Sequence, residues 1–114
     1  MQTDSIFITL TETNFHQKML KSTQPVFVEF FADWCRTCHI NAPLIQEMAL
    51  KFRARVKFCK INVDDYGNVD KECGVQKIPT MLFFKDGQVV DYMVGIAPRT
   101  VITQKLEELM AQSS

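Results

Sequence analysis

Residues 26–32 read Val-Phe-Val-Glu-Phe-Phe-Ala, apolar at every position but one. No other stretch constrains the fold as strongly. A strand with one wet face alternates apolar and polar side chains, whereas one that is apolar at successive positions is buried on both faces. Such a strand belongs in a sheet interior with helices packed on each side. Gln24-Pro25 breaks the chain just before the run, and Asp33-Trp34-Cys35-Arg36-Thr37-Cys38-His39 follows it. Ile40, Leu44, Ile45, Met48, Ala49 and Phe52 then recur at helical spacing, which predicts a helix from Cys35 to about Phe52. Pro43 lies inside that helix and removes one backbone donor, a cause of kinking. The cysteine pair therefore stands where a buried strand ends and a helix begins.

The remaining elements alternate in the same way. Ser5–Thr9 reads as a short strand. Thr11 follows as a helix N-cap, with Leu10 and Phe15 spaced as a hydrophobic staple, for a helix to about Ser22. Val56–Val63 is the next strand, and a short helix spans about Asn68–Cys73 before Gly74. Asp86-Gly87 joins strands Thr80–Lys85 and Gln88–Val94 as a hairpin. A last helix starts near Pro98, with Val101, Ile102, Leu106, Leu109 and Met110 on one face. Five strands and four helices result. The early strand–helix–strand units require parallel pairing and the closing hairpin antiparallel pairing, so the fold class is α/β with a central mixed five-stranded sheet flanked by helices.

A length of 114 residues fits a single domain spanning the whole chain. Thirteen basic residues balance thirteen acidic ones, so neither nucleic acid nor an anionic membrane is expected as a partner. No apolar run reaches the length of a membrane span. Met1–Ser5 lacks the basic and apolar regions of a signal peptide, which leads to an expectation of a cytoplasmic protein. With 46% hydrophobic residues the chain builds a core without disulfide staples, and Cys59 and Cys73 read as small buried hydrophobes.

Cys35 and Cys38 carry the chemistry. Unpaired N–H groups at a helix N-terminus stabilise a thiolate, and the thiolate is the reactive form of cysteine. Cys35, nearest the helix end, is expected to be the more exposed sulfur and the nucleophile. Cys38 lies within reach to resolve a mixed disulfide. Glu29 is a lone carboxylate inside an apolar run, so burial is expected to raise its pKa toward neutrality. Lys60, in the neighbouring predicted strand, is a candidate partner. Arg36 and His39 beside the thiols also favour the thiolate. Zinc would need two further ligands, and Cys59, Cys73 and His16 are scattered, so no metal site is expected. The letters C-x-x-C-H also match haem attachment, with His39 as axial ligand.

The order of elements, Phe31-Ala32-Asp33-Trp34-Cys35-x-x-Cys38, Lys60-Ile61-Asn62-Val63-Asp64, Ile78-Pro79-Thr80 and Val94-Gly95 together resemble the thioredoxin family over essentially the whole chain. That resemblance accounts for the cysteines without haem. It implies a thioredoxin fold and a thiol–disulfide oxidoreductase that reduces protein disulfides through Cys35 and Cys38, with no bound cofactor. By the same resemblance Glu29 stands where the family usually has Asp and takes the proton of the resolving thiol, directly or through a water. Lys60 is its charged neighbour. Pro79 is implied to be cis and to face the dithiol, with Ile78 offering backbone groups to an extended substrate. Trp34 flanks the thiols as an apolar apron, and Gly95 allows close backbone approach. The implied partners are disulfide-containing proteins and a thioredoxin-reductase-type flavoenzyme, acting on a monomer. Between the cysteines the chain departs from the family, with Arg36-Thr37 in place of Gly-Pro, and these two residues with His39 are the expected tuners of its potential. The rival reading is a thioredoxin-fold adaptor in which turnover is incidental.

Overall fold

A computed structural model describes residues 6–20, 22–65 and 69–112. Five strands form one sheet: β1 (Ile8–Thr9), β2 (Val26–Phe31), β3 (Lys57–Asn62), β4 (Thr80–Lys85) and β5 (Gln88–Val94). Their order is β1-β3-β2-β4-β5, with β1, β3 and β2 parallel and β4 and β5 antiparallel. Four helices complete the chain: α1 (Phe15–Leu20), α2 (Arg36–Phe52), α3 (Val69–Glu72) and α4 (Arg99–Ala111). The mixed sheet of the sequence reading is present. Ser5 and Asn68, the first residues of two predicted elements, lie outside the described residues, as do Lys21 and the rest of Met1–Ser5.

β2 is central, and its side chains alternate between two cores. Phe27 packs with Ile45, Met48 and Ala49 of α2 and with Ile102, Leu106 and Leu109 of α4. Val26, Val28 and Phe30 pack on the other side with Leu10, with Phe15 of α1 and with Val69 of α3. Leu10 and Phe15 meet in this second core, as a staple requires. Thr11 and Asn14 cap the start of α1 reciprocally: the Asn14 N–H donates to Thr11 Oγ1 at 3.1 Å, and the Thr11 N–H donates to Asn14 Oδ1 at 2.7 Å. The hairpin has the bounds its sequence predicts, because Asp86 and Gly87 take φ of 54° and 78°, the left-handed pair a two-residue turn needs.

Three expectations are corrected. Ile40 is 54% exposed, and Asn41 takes its place on the buried stripe of α2 with Cys38, Ile45, Met48 and Ala49. A step of four residues back from Ile45 reaches Asn41 and a further step of three reaches Cys38, whereas Ile40 is five residues away and faces outward. Val101 likewise falls outside the α4 stripe of Ile102, Leu106, Leu109 and Met110. Cys73 is half-buried, at the rim of the second core. α2 runs continuously through Pro43.

The phase of α2 is tested by a pair of substitutions. Ile45→Ala, at 1% exposure, should cost about 2–5 kcal/mol in urea unfolding. Ile40→Ala should stay within about 0.5 kcal/mol of wild type.

Candidate active site

The site forms where β2 delivers the chain into α2. Cys35 is the N-cap of α2, with extended backbone (φ −84°, ψ 109°), and its Sγ accepts the N–H of Cys38 at 3.2 Å. Cys35 and Cys38 are joined as a disulfide, with Cα atoms 5.3 Å apart. The pair packs with Ala32 and against Phe31, Val63 and Ile78. As whole residues the two cysteines are about equally buried, 6% and 5% exposed, with Ile78 and the end of β2 packed against the pair. Their surroundings differ instead. Cys35 caps the helix from outside, whereas Cys38 lines a cavity of about 130 Å³ together with Glu29, Lys60, His39 and Ala42.

Glu29 is 3% exposed and lies opposite Lys60 in the β2–β3 register. Desolvation raises its carboxyl from the ordinary 4.5 to about 7, and the charge of Lys60 offsets part of that rise. The two residues make no direct ion pair. The Lys60 Nζ sits 4.7 Å from the ring centre of Phe31 and 5.0 Å from that of Phe7, held by two aromatic faces while its field reaches the carboxyl. Glu29 is thus a buried carboxyl poised near neutrality beside the cavity that Cys38 shares.

Ile78, Pro79 and Gly95 come together at the same end of the sheet. The Ile78–Pro79 bond is cis. The Gly95 N–H donates to the Pro79 carbonyl at 2.9 Å, and the φ of +87° at Gly95 is one that a side chain would strain. Trp34 is 70% exposed, outside any core, and its indole N–H donates to Asp64 Oδ2 at 2.6 Å. Arg36 is exposed and Thr37 half-buried on the first turn of α2. His39 turns away from an axial-ligand role: its Nε2–H donates to the Asp33 carbonyl at 2.7 Å. Burial pushes the Cys59 thiol up to about 12 and the Cys73 thiol to about 11, so neither competes with the disulfide pair as a nucleophile.

Two contributors escaped the sequence reading. Asp64 anchors Trp34. Asn41, 2% exposed, donates from Nδ2 to the Gly95 carbonyl at 2.8 Å and accepts the Ala97 N–H on Oδ1 at 3.1 Å. A chain of bonds therefore runs from α2 through Asn41 and Gly95 to Pro79, fixing the dithiol helix against the cis-proline loop. Helical phase was the available signal, since a polar residue on a buried stripe must find hydrogen-bond partners. No helix among the described residues is long and apolar enough to cross a membrane.

Residues 6–108 match the family model for thioredoxin. The chain is 39% identical over 99 residues to Thioredoxin 1 of Nostoc sp., covering 87% of this chain and 92% of that one. It is 38% identical over 104 residues to Thioredoxin 1 of Synechococcus elongatus, covering 91% and 97%. With Thioredoxin 2 of Chlorobaculum tepidum it shares 40% identity over 98 residues, covering 86% and 90%.

The raised carboxyl of Glu29 has a stability consequence. Between pH 4.5 and about 7 the folded chain holds a proton that the unfolded chain has released, so stability falls as pH rises through that window. Glu29→Gln removes the penalty. Unfolding by urea should find the variant more stable than wild type by up to about 3 kcal/mol at pH 8 and close to it at pH 4. Equal pH dependence in both proteins would contradict the assignment.

Proposed function

The chain belongs to the thioredoxin family and is a protein-disulfide oxidoreductase, and on that premise we propose how its residues divide the reaction. The Cys35 thiolate, at the N-cap of α2, attacks one sulfur of a substrate disulfide. The substrate S–S bond breaks, a mixed disulfide forms, and the first substrate sulfur leaves as a thiolate that takes up a proton. Cys38 then gives its proton to Glu29 across the shared cavity and attacks Cys35 Sγ. The second substrate thiol is released, and two electrons have passed from the dithiol to the substrate. The Cys35–Cys38 disulfide is the product of that step.

The observation that carries this division of labour is the 130 Å³ cavity, which meets Cys38, Glu29 and Lys60 together. A carboxyl that titrates near neutrality accepts a thiol's proton far better than an ordinary carboxylate does. Lys60 holds the ionised form of Glu29 within reach by its charge. The cavity has room for a water to bridge Glu29 and Cys38, which accommodates the extra methylene of Glu relative to the family's Asp.

Ile78, Pro79 and Gly95 form the backbone surface on which an extended substrate docks, with Trp34 as an exposed apolar flank. The protein acts as a single-domain monomer in the cytoplasm, needs no bound cofactor, and is returned to the dithiol by a thioredoxin-reductase-type flavoenzyme. Arg36 places a guanidinium one residue from Cys35 and favours the thiolate. That stabilises the reduced form and makes the potential less reducing than a Gly-Pro pair at positions 36 and 37 would give, a shift to which Thr37 and His39 contribute.

Two measurements test these roles. Dithiothreitol-driven reduction of insulin should be accelerated by wild type, abolished by Cys35→Ser, and replaced in Cys38→Ser by accumulated mixed disulfides. No acceleration by wild type would favour the adaptor reading. Titration against glutathione should find the Arg36→Gly, Thr37→Pro double variant more reducing than wild type by roughly 30 mV for each ~1.4 kcal/mol of lost thiolate stabilisation. An unchanged or less negative potential would rule out tuning by these residues.

A further inference from the structure

β5 presents different chemistry on its two faces. Met93 enters the core shared with α2 and α4. On the opposite face Val89, Tyr92 and Val94 are 47%, 63% and 50% exposed and join neither core. α3, which packs on that side, is four residues long. With Val75 and Leu82 the three exposed residues line a groove of about 360 Å³.

The position of this groove identifies what it holds. Lys77 and Thr80 line its near end, immediately before Ile78 and immediately after Pro79. Thr80 pairs with Val94, and Val94 precedes Gly95. The groove therefore opens directly off the proposed docking loop. From Val94 it follows β5 to Val89, opposite Thr80 to Phe84 of β4, about 14 Å for four paired steps. Among the described residues its lining carries one charged group, Lys77 at the loop end, with Gln76 and Thr80 as polar neighbours there, and Val75, Leu82, Val89, Tyr92 and Val94 give the rest apolar contact. Three exposed apolar side chains in one stretch of strand mark an interaction surface.

We propose that this groove is a second substrate subsite, which takes apolar side chains lying about two to five residues from the disulfide cysteine of an extended substrate segment. The proposal rests on the reading of Ile78-Pro79-Thr80 as the docking loop. It adds a preference for sequence around the cysteine to a site whose backbone pairing alone tolerates any sequence. The main-chain contacts place the substrate sulfur at Cys35, and the groove rewards substrates with Leu, Val or Phe a short way along the chain.

Two symmetric peptide disulfides provide the test. They share length and charge, and carry either Leu and Phe or Ser at positions two to five on both sides of the cysteine. Turnover is driven by dithiothreitol, and hydroxyethyl disulfide, too small to reach the groove, is assayed on the same samples. Wild type should prefer the apolar peptide by about tenfold in kcat/KM, mostly through KM. Tyr92→Ser and Val89→Asp should each bring the ratio close to one, while Tyr92→Phe keeps it. A wild-type ratio near one overturns the proposal, as does a ratio that survives both disruptive variants. A change of oligomeric state in Tyr92→Ser with the ratio intact also overturns it, in favour of self-association. If wild type reduces hydroxyethyl disulfide but neither peptide, the docking-loop reading falls and the subsite falls with it. A normal rate on the small disulfide with no peptide preference defeats the subsite alone.

Discussion

Burial of β2 on both faces is the constraint on which the remaining architecture depends. A strand with Phe27 in one core and Val28 and Phe30 in the other has to sit between partners, and here it pairs with β3 on one edge and β4 on the other. Helices must cover both faces, and the chain leaving the strand has to enter one of them. Only four residues separate the end of β2 from the start of α2, so the N-cap residue Cys35 is held at the edge of the core. The same burial makes the single polar residue of the strand unusual. Glu29 cannot be hydrated as an exposed carboxylate is, and its proton affinity rises until it is useful near neutral pH.

The geometry of the candidate site then follows from three attachments to this strand. α2 carries Cys38 over the cavity that Glu29 and Lys60 share. β4, paired to β2, starts directly after the cis-proline loop, so Ile78 packs against the dithiol. Asn41 closes the arrangement by bonding α2 to the loop that contains Gly95, which in turn bonds Pro79. Lys60 modulates Glu29 by charge alone. Its ammonium lies near the rings of Phe7 and Phe31 and makes no direct ion pair with Glu29.

Much of this was legible in the sequence because local chemistry and tertiary demand agreed. The run at 26–32 declared its own double burial, Asp86-Gly87 declared the hairpin, and two cysteines at a strand–helix junction declared redox chemistry. Glu29 stood out as the one charge in an apolar strand. Legibility failed where side-chain identity misled about phase. Ile40 is apolar yet faces solvent, and Asn41 is polar yet buried, since three-dimensional bonds to Gly95 and Ala97 satisfy it. The bond from Trp34 to Asp64 spans thirty residues and has no local signature. The equal burial of Cys35 and Cys38 depends on how Ile78 packs over them, a contact made through a distant loop.

The central claim is that Glu29 is a buried carboxyl poised to exchange a proton with Cys38. Carbon-13 NMR of the Glu29 side-chain carboxyl in the disulfide form, followed as pH is varied, observes that group alone. The account predicts a titration midpoint near 7. A midpoint in the ordinary carboxylate range, near 4.5, would contradict it.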